Sequence, residues 1–192
     1  MAKKGGRGAL GVPLSITNYT AVDVETANYD CASICSIGLV NMSYGEVVWE
    51  KEILVNPQAH FELMNVSIHG ITPMMVERAP AFDEVWEEIA PVFEQGIVMA
   101  HFAAFDLKAI TGALLRYGIK PPEIRYVCTC QKARRHIEKE RFGNHRLNTL
   151  CKGLNVPLDN HHNALCDAKA CAFLYETLVD KFGAYEDDIK TY

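Results

Sequence analysis

Three strand-like runs stand back to back at the start of this chain, Tyr19–Val24, Ser33–Asn41 and Val47–Val55, with no helical period between them. Each is rich in apolar and β-branched residues, and Ser43-Tyr44-Gly45 supplies a turn between the second and the third. Connections this short join antiparallel neighbours. Beyond them the pattern changes. Thr72-Pro73 reads as an N-cap followed by proline at the first helical position. Phe82, Val85, Trp86, Ile89, Val92 and Phe93 recur at helical spacing, and Pro91 inside that run removes a backbone bond and is expected to bend the helix. Ile97–Ala100 is a short apolar strand. Leu107, Ile110, Leu114 and Leu115 mark a helix that closes near Gly118, and Ile124–Cys128 reads as a fifth strand. Two shorter helices follow, Gln131–Lys139 and Arg146–Leu154, then a long one from about Ala164 to Lys181. An antiparallel opening that continues as β-α-β units predicts an α/β fold, with a five-stranded mixed sheet flanked by helices.

The domain is expected to occupy residues 17–182. Residues 1–16 read as a flexible, Gly-rich basic tail or linker carrying Lys3, Lys4 and Arg7, and residues 183–192 as a C-terminal tail. No apolar stretch approaches the roughly 20 residues needed to span a bilayer. The basic start has no apolar region after it, so no secretion signal is expected. Seven cysteines without a regular framework suggest reduced thiols and a cytoplasmic location, with no membrane partner. Cys128-x-Cys130 and Cys166…Cys171 do not match paired zinc-ligand spacing and are read as small buried thiols. The formal charge of −5 excludes a broad, charge-driven nucleic-acid binder. The charge is uneven, however. Residues 131–146 carry Lys132, Arg134, Arg135, Lys139, Arg141 and Arg146 for a local +4, either a solvated face or a phosphate track.

Three segments carry chemistry. In Ala21-Val22-Asp23-Val24-Glu25-Thr26, the strand period sends Asp23 and Glu25 to one face while Val22 and Val24 pack behind. Two neighbouring carboxylates on an apolar strand need a positive partner, unless they sit at an exposed strand end. In His101-Phe102-Ala103-Ala104-Phe105-Asp106, Asp106 falls in the first turn of a helix that follows a strand, on the rim where α/β sheets bind ligands. A helix-start aspartate is also an ordinary dipole partner. In His162-Asn163-Ala164-Leu165-Cys166-Asp167-Ala168, Asp167 lies in an apolar helix and needs a partner, with His162 about one turn before it. The alternative there is a solvated aspartate with a capping histidine.

Together, and in this order, the three segments resemble the DEDDh family of 3′→5′ exonucleases, the DnaQ-like proofreading enzymes, RNase T and their relatives. Cys35-Ser36-Ile37-Gly38, Ile68-His69-Gly70-Ile71-Thr72 and Ala79-Pro80-Ala81-Phe82 look like that family too. The likeness runs from about Asn18 to Val179 and is greatest to the exonuclease domains of bacterial DNA polymerase III epsilon. It implies an RNase H-like fold, Asp23, Glu25, Asp106 and Asp167 as ligands of two divalent ions (Mg²⁺ or Mn²⁺), and His162 as general base. His161 is adjacent, but only His162 has the family spacing to Asp167. Where the family has Asn after the histidine of the second motif, this chain has Phe102. Four carboxylates are hard oxygen ligands that suit these ions independently of the likeness.

Thr26, Ala27 and Asn28 are expected beside the terminal nucleotide, with His69, Phe102 and Phe105 as further substrate contacts. Met64 is read as core, as is at least one of Phe102 and Phe105. The expected activity is metal-dependent release of nucleoside 5′-monophosphates from single-stranded DNA 3′ ends, in proofreading or end trimming. RNA 3′-end trimming is the alternative. A module acting mainly by binding, within a polymerase or a CRISPR adaptation integrase complex, is a third reading.

Overall fold

A computed structural model describes residues 11–192, so the first ten residues of the expected N-terminal tail lie outside the described residues. Strands β1 (Asn18–Thr26), β2 (Ile34–Ser43) and β3 (Glu46–Leu54) form the antiparallel meander that the opening runs predict. The β2–β3 turn places Tyr44 and Gly45 both at positive φ, the backbone that matches the twist of a tight hairpin.

Helices α1 (Leu63–His69), α2 (Pro73–Val76) and α3 (Phe82–Gln95) lead to β4 (Val98–Ala100). Then come α4 (Ala104–Arg116), β5 (Arg125–Cys128), α5 (Thr129–His136), α6 (Lys139–Phe142), α7 (Leu147–Leu154) and α8 (Ala164–Phe182). Helix α3 runs through Pro91 without a break.

The sheet has six strands in the order β3-β2-β1-β4-β5-β6, not five. The sixth, β6 (Ile189–Thr191), pairs antiparallel with β5. Residues 183–192 are therefore not a tail. Asp188, within that stretch, is buried. It accepts from Lys132 Nζ at 2.7 Å and Arg135 Nη1 at 3.1 Å, and Lys132 also donates to the Gly183 carbonyl at 2.6 Å. Part of the N-terminal stretch is docked as well: Leu14 N–H donates to the Ala184 carbonyl, and Glu186 N–H to that of Val12.

The two faces of β1 separate the core. Val22 and Val24 pack with Phe82, Trp86, Phe93, Leu107 and Ile110 from α3 and α4. Tyr19 and Ala21 face the other way, with Met99 and Val127, onto Ala168, Ala172 and Tyr175 of α8. A mixed sheet between helical layers, with β1 antiparallel to β2 and parallel to β4, matches the expected class in all but strand number. Among the described residues no helix is long and apolar enough to cross a membrane.

Candidate active site

The three chemical segments meet at the carboxyl ends of β1 and β4. Asp23 and Glu25 leave β1 on its α8 face, and the β1–β2 register shifts between Glu25 and Thr26, the kind of irregularity that re-aims side chains beside functional sites. Asp106 is in the first turn of α4 on the opposite face. Its Oδ1 accepts the Val24 N–H at 3.2 Å, which turns the carboxylate around the strand end. Asp167 is in the first turn of α8. Its backbone N–H donates to the Asn163 carbonyl, and the Asn163 side chain caps the helix by accepting from Cys166 N–H at 2.9 Å. The same Asn163 donates to Glu52 on β3 at 2.8 Å, which pins the helix start to the sheet.

Asp23, Glu25, Asp106, Asp167, His161, His162, Phe102, Phe105 and Arg146 line one cleft of about 560 Å³. Ligand oxygens of Asp23, Glu25 and Asp167 lie within 4.8 Å of one another. Among the described residues no Lys or Arg forms an ion pair with any of the four acids. Burial, reinforced by the neighbouring carboxylates, pushes Glu25 up to about 8 and Asp23 well above the usual range. Burial also raises Asp106 to about 8, against the opposing pull of two backbone N–H donors. A group of buried and half-buried oxygen donors that repel one another, with no Lys or Arg ion-paired to them among the described residues, has the donor chemistry to hold a cation.

His161 Nδ1 lies 3.1 and 3.0 Å from the two Asp167 oxygens. His162 contributes its backbone N–H to Asp167 Oδ2 at 3.1 Å, at a positive φ of 71°, and its ring stacks on His161 at 3.8 Å. Among the described residues no hydrogen bond reaches the His162 ring nitrogens.

The remaining expected contacts are placed differently. Thr26, Ala27 and Asn28 are buried, and the Asn28 side chain is used by the His60 carbonyl and Asp30 N–H. His69 accepts Ile71 N–H on Nδ1, so its Nε2–H donates to the Thr26 carbonyl at 3.2 Å. Met64 is exposed rather than core, because α1 buries none of its residues. Phe102 and Phe105 are both 47% exposed, so neither is core. The cysteines are all free thiols, and no metal-competent group among the described residues includes one.

Comparison with known proteins accords with this geometry. The family model described as an exonuclease of the RNase T type matches residues 20–175. The chain belongs to the DnaQ-like DEDDh exonuclease family. DNA polymerase III PolC-type of Listeria monocytogenes is 33% identical over 172 residues, which is 88% of this chain and 12% of that protein. The Bacillus subtilis PolC-type polymerase is 31% identical over 160 residues, 81% of this chain and 11% of that one. The chain thus spans about an eighth of the length of these relatives. A structure of Exonuclease X with 5′-overhanging duplex DNA superposes with a TM-score of 0.69 at 24% identity, covering 88% of this chain and 96% of that one. A 3′-exonuclease bound to the histone mRNA stem-loop gives 0.74 at 13% identity, over 93% and 92% of the two chains.

Two further residues of this DEDDh exonuclease domain support the site from outside its four acids. Gly38 on β2 pairs with Asp23, and a Cβ there would fall 2.1 Å from the Ala164 carbonyl oxygen. Only glycine lets the start of α8 lie that close to the sheet. Gly38→Ala is expected to push Asp167 outward. A displacement of about 1 Å is worth roughly 100-fold in turnover, and overpacking about 1–3 kcal/mol in stability. Steady-state kinetics and urea unfolding of the variant check both. Gly38 carried a family likeness in the sequence, but no residue pattern gave the reason for it.

His101 is the second. Its Nε2–H donates to the His145 carbonyl at 2.9 Å, and its Nδ1 receives the Thr129 hydroxyl at 2.8 Å. Burial pushes its pKa down to about 4, from an ordinary 6.5. The unfolded chain takes up that proton first, so His101 withdraws stability as pH falls from about 6.5 towards 4, by up to about 3 kcal/mol. Unfolding of the wild type and of His101→Gln at pH 7 and pH 4.5 measures this: the gap between them is expected to narrow in acid.

Proposed function

We propose that this domain is a divalent-cation-dependent 3′→5′ exonuclease that hydrolyses single-stranded DNA ends to nucleoside 5′-monophosphates. The observation that carries the reading is the convergence of Asp23, Glu25, Asp106 and Asp167 from three elements onto one cleft, with no Lys or Arg ion-paired to any of them among the described residues. The donor set fits two hard ions, Mg²⁺ or Mn²⁺. Asp23 would be shared, Glu25 and Asp167 would complete one site, and Asp106 would serve the other. When bound, such ions supply Lewis-acid stabilisation of the charge that builds on the phosphate and the leaving oxygen.

The residues of the chain do the rest. His162 takes the proton of the attacking water: its ring is unbonded, and burial with the neighbouring His161 lowers its pKa, which keeps it neutral at neutral pH. The water oxygen bonds to phosphorus, the bond to the 3′ oxygen breaks, and a mononucleotide leaves. His161 holds the Asp167 carboxylate. Phe102 and Phe105 present rings for unpaired bases. Thr26, Ala27 and Asn28 shape the terminal-nucleotide wall mainly through backbone, braced by His69.

The PolC likeness supports a DNA substrate and a polymerase partner over an integrase. The fold shared with an enzyme on histone mRNA keeps RNA trimming as the second reading. Digestion of matched DNA and RNA oligonucleotides with Mg²⁺ is the test. Faster loss of DNA 3′ ends is expected, and preferential loss of RNA would favour the alternative.

A further inference from the structure

Four of the six basic side chains of the stretch 131–146 fall into two sets. Lys132 and Arg135 are spent on Asp188 and hold the C-terminal strand. Arg134 and Arg146 have no carboxylate partner among the described residues, and both are exposed. Arg146 lines the cleft of the four acids. Arg134 carries its guanidinium 5.0 Å above the ring of Phe102, which lines the same cleft. His101 abuts that ring edge-on at 5.9 Å and, through its bond to the His145 carbonyl, ties the backbone beside Arg146 to the same corner.

Phe102 itself sits at a φ of +67°. That left-handed conformation disfavours an aromatic residue by roughly 1–2 kcal/mol and is tolerated by Asn. An exposed ring kept in a disfavoured conformation beside a reactive cleft gains its place from something other than folding. A guanidinium stacked on an aromatic face, with a second arginine close by, offers what an unpaired nucleotide offers in reverse: a π surface for the base and fixed cations for phosphates.

We infer that Phe102, Arg134 and Arg146 form a second subsite, which binds a base and the phosphates of single-stranded DNA on the 5′ side of the scissile bond. This rests on the exonuclease reading of the cleft and adds Arg134 and Arg146 to the ring of Phe102. The subsite lies on the α5–α7 side of the carboxylates. It gives an acidic protein a short cationic path for the strand, where the total charge of −5 offers none.

The test separates binding from turnover. Affinity for fluorescein-labelled (dT)₁₂ is measured by anisotropy with Mg²⁺ in an Asp23→Asn background. Hydrolysis of the same strand is followed in proteins with Asp23 intact. Arg134→Gln and Arg146→Gln are each expected to weaken (dT)₁₂ binding several-fold near 0.1 M salt and to flatten the log affinity–log salt slope by about 0.7. Phe102→Asn is expected to weaken binding about tenfold without lowering the thermal midpoint, whereas Phe102→Tyr retains affinity. Wild-type affinity and salt slope in both arginine variants, or equal affinity of Phe102→Asn and Phe102→Tyr, overturn the subsite, as does a strand that does not bind at all. Weakened binding in a protein whose intact form hydrolyses nothing leaves the subsite standing and removes the nuclease reading. Hydrolysis together with unaltered binding does the reverse.

Discussion

Asp23→Asn is expected to abolish strand hydrolysis and, in metal-free buffer near pH 8, to make the protein more stable. Both effects come from one cause. Asp23 stands among Glu25, Asp106 and Asp167, and burial together with their charges holds its pKa well above the usual range. On the proposed two-ion reading, loss of a shared ligand removes several kcal/mol of transition-state stabilisation, at least about a thousandfold in turnover. Without a cation, folding favours the protonated acids. Their contribution is complete below the ordinary carboxylate range near pH 4 and is lost as pH rises through the raised values, about 8 for Glu25 and Asp106. Neutralising Asp23 removes one repelling charge and is expected to return roughly 1–3 kcal/mol at pH 8. Mg²⁺ should stabilise the wild type far more than the variant. Thermal unfolding in EDTA and in Mg²⁺, beside single-turnover kinetics, measures the whole pattern. A variant less stable than wild type in EDTA would mean that the acids are not under mutual strain.

The second large effect lies away from the cleft. Lys132 and Asp188 are 0% and 1% exposed at their side chains, and Arg135 completes the group. Asp188→Ala leaves the Lys132 ammonium inside the protein with only the Gly183 carbonyl as acceptor. Breaking a buried pair on one side costs about 3–5 kcal/mol, which for a domain of this size lowers the thermal midpoint by roughly 6–20 °C. The loss should be felt first in β6 and in the backbone bonds between Ile124 and Tyr192. Hydrogen exchange there should rise before exchange in β1. Replacing both partners by apolar residues, Lys132→Met with Asp188→Leu, is expected to recover most of the loss, because the stranded charge rather than the missing attraction is the larger penalty.

How far the sequence carried these conclusions depended on burial. Most elements that bury a face were legible: β1 and β2 by their apolar runs, α3 by Phe82, Val85, Trp86, Ile89 and Phe93, and α8 by its small apolar stripe. Strand β3 buries only Ile53 but was legible by its β-branched run, whereas two other elements with little burial were missed. Helix α1 buries none of its residues and so has no stripe to read, although Asn65 and His69 tie it to Thr26. Strand β6 is three residues long and mostly exposed, and its anchor is an aspartate that looks solvated until Lys132 is brought to it from over 50 positions away. That the four acids and His162 share one cleft was legible, because chain order and spacing carry it. The geometry of Phe102 was not, since a positive φ and an arginine stacked on the ring from 32 positions away leave no periodic trace.

The central claim is that the four carboxylates serve cation-dependent removal of nucleotides from a 3′ end. Its most direct test is digestion of one single-stranded DNA labelled in turn at each end. A 3′ label should leave at once as a mononucleotide, while a 5′ label passes down a ladder one nucleotide at a time. EDTA should stop both, and Mg²⁺ or Mn²⁺ should restore them. Immediate release of the 5′ label, or hydrolysis undiminished in EDTA, would contradict the account.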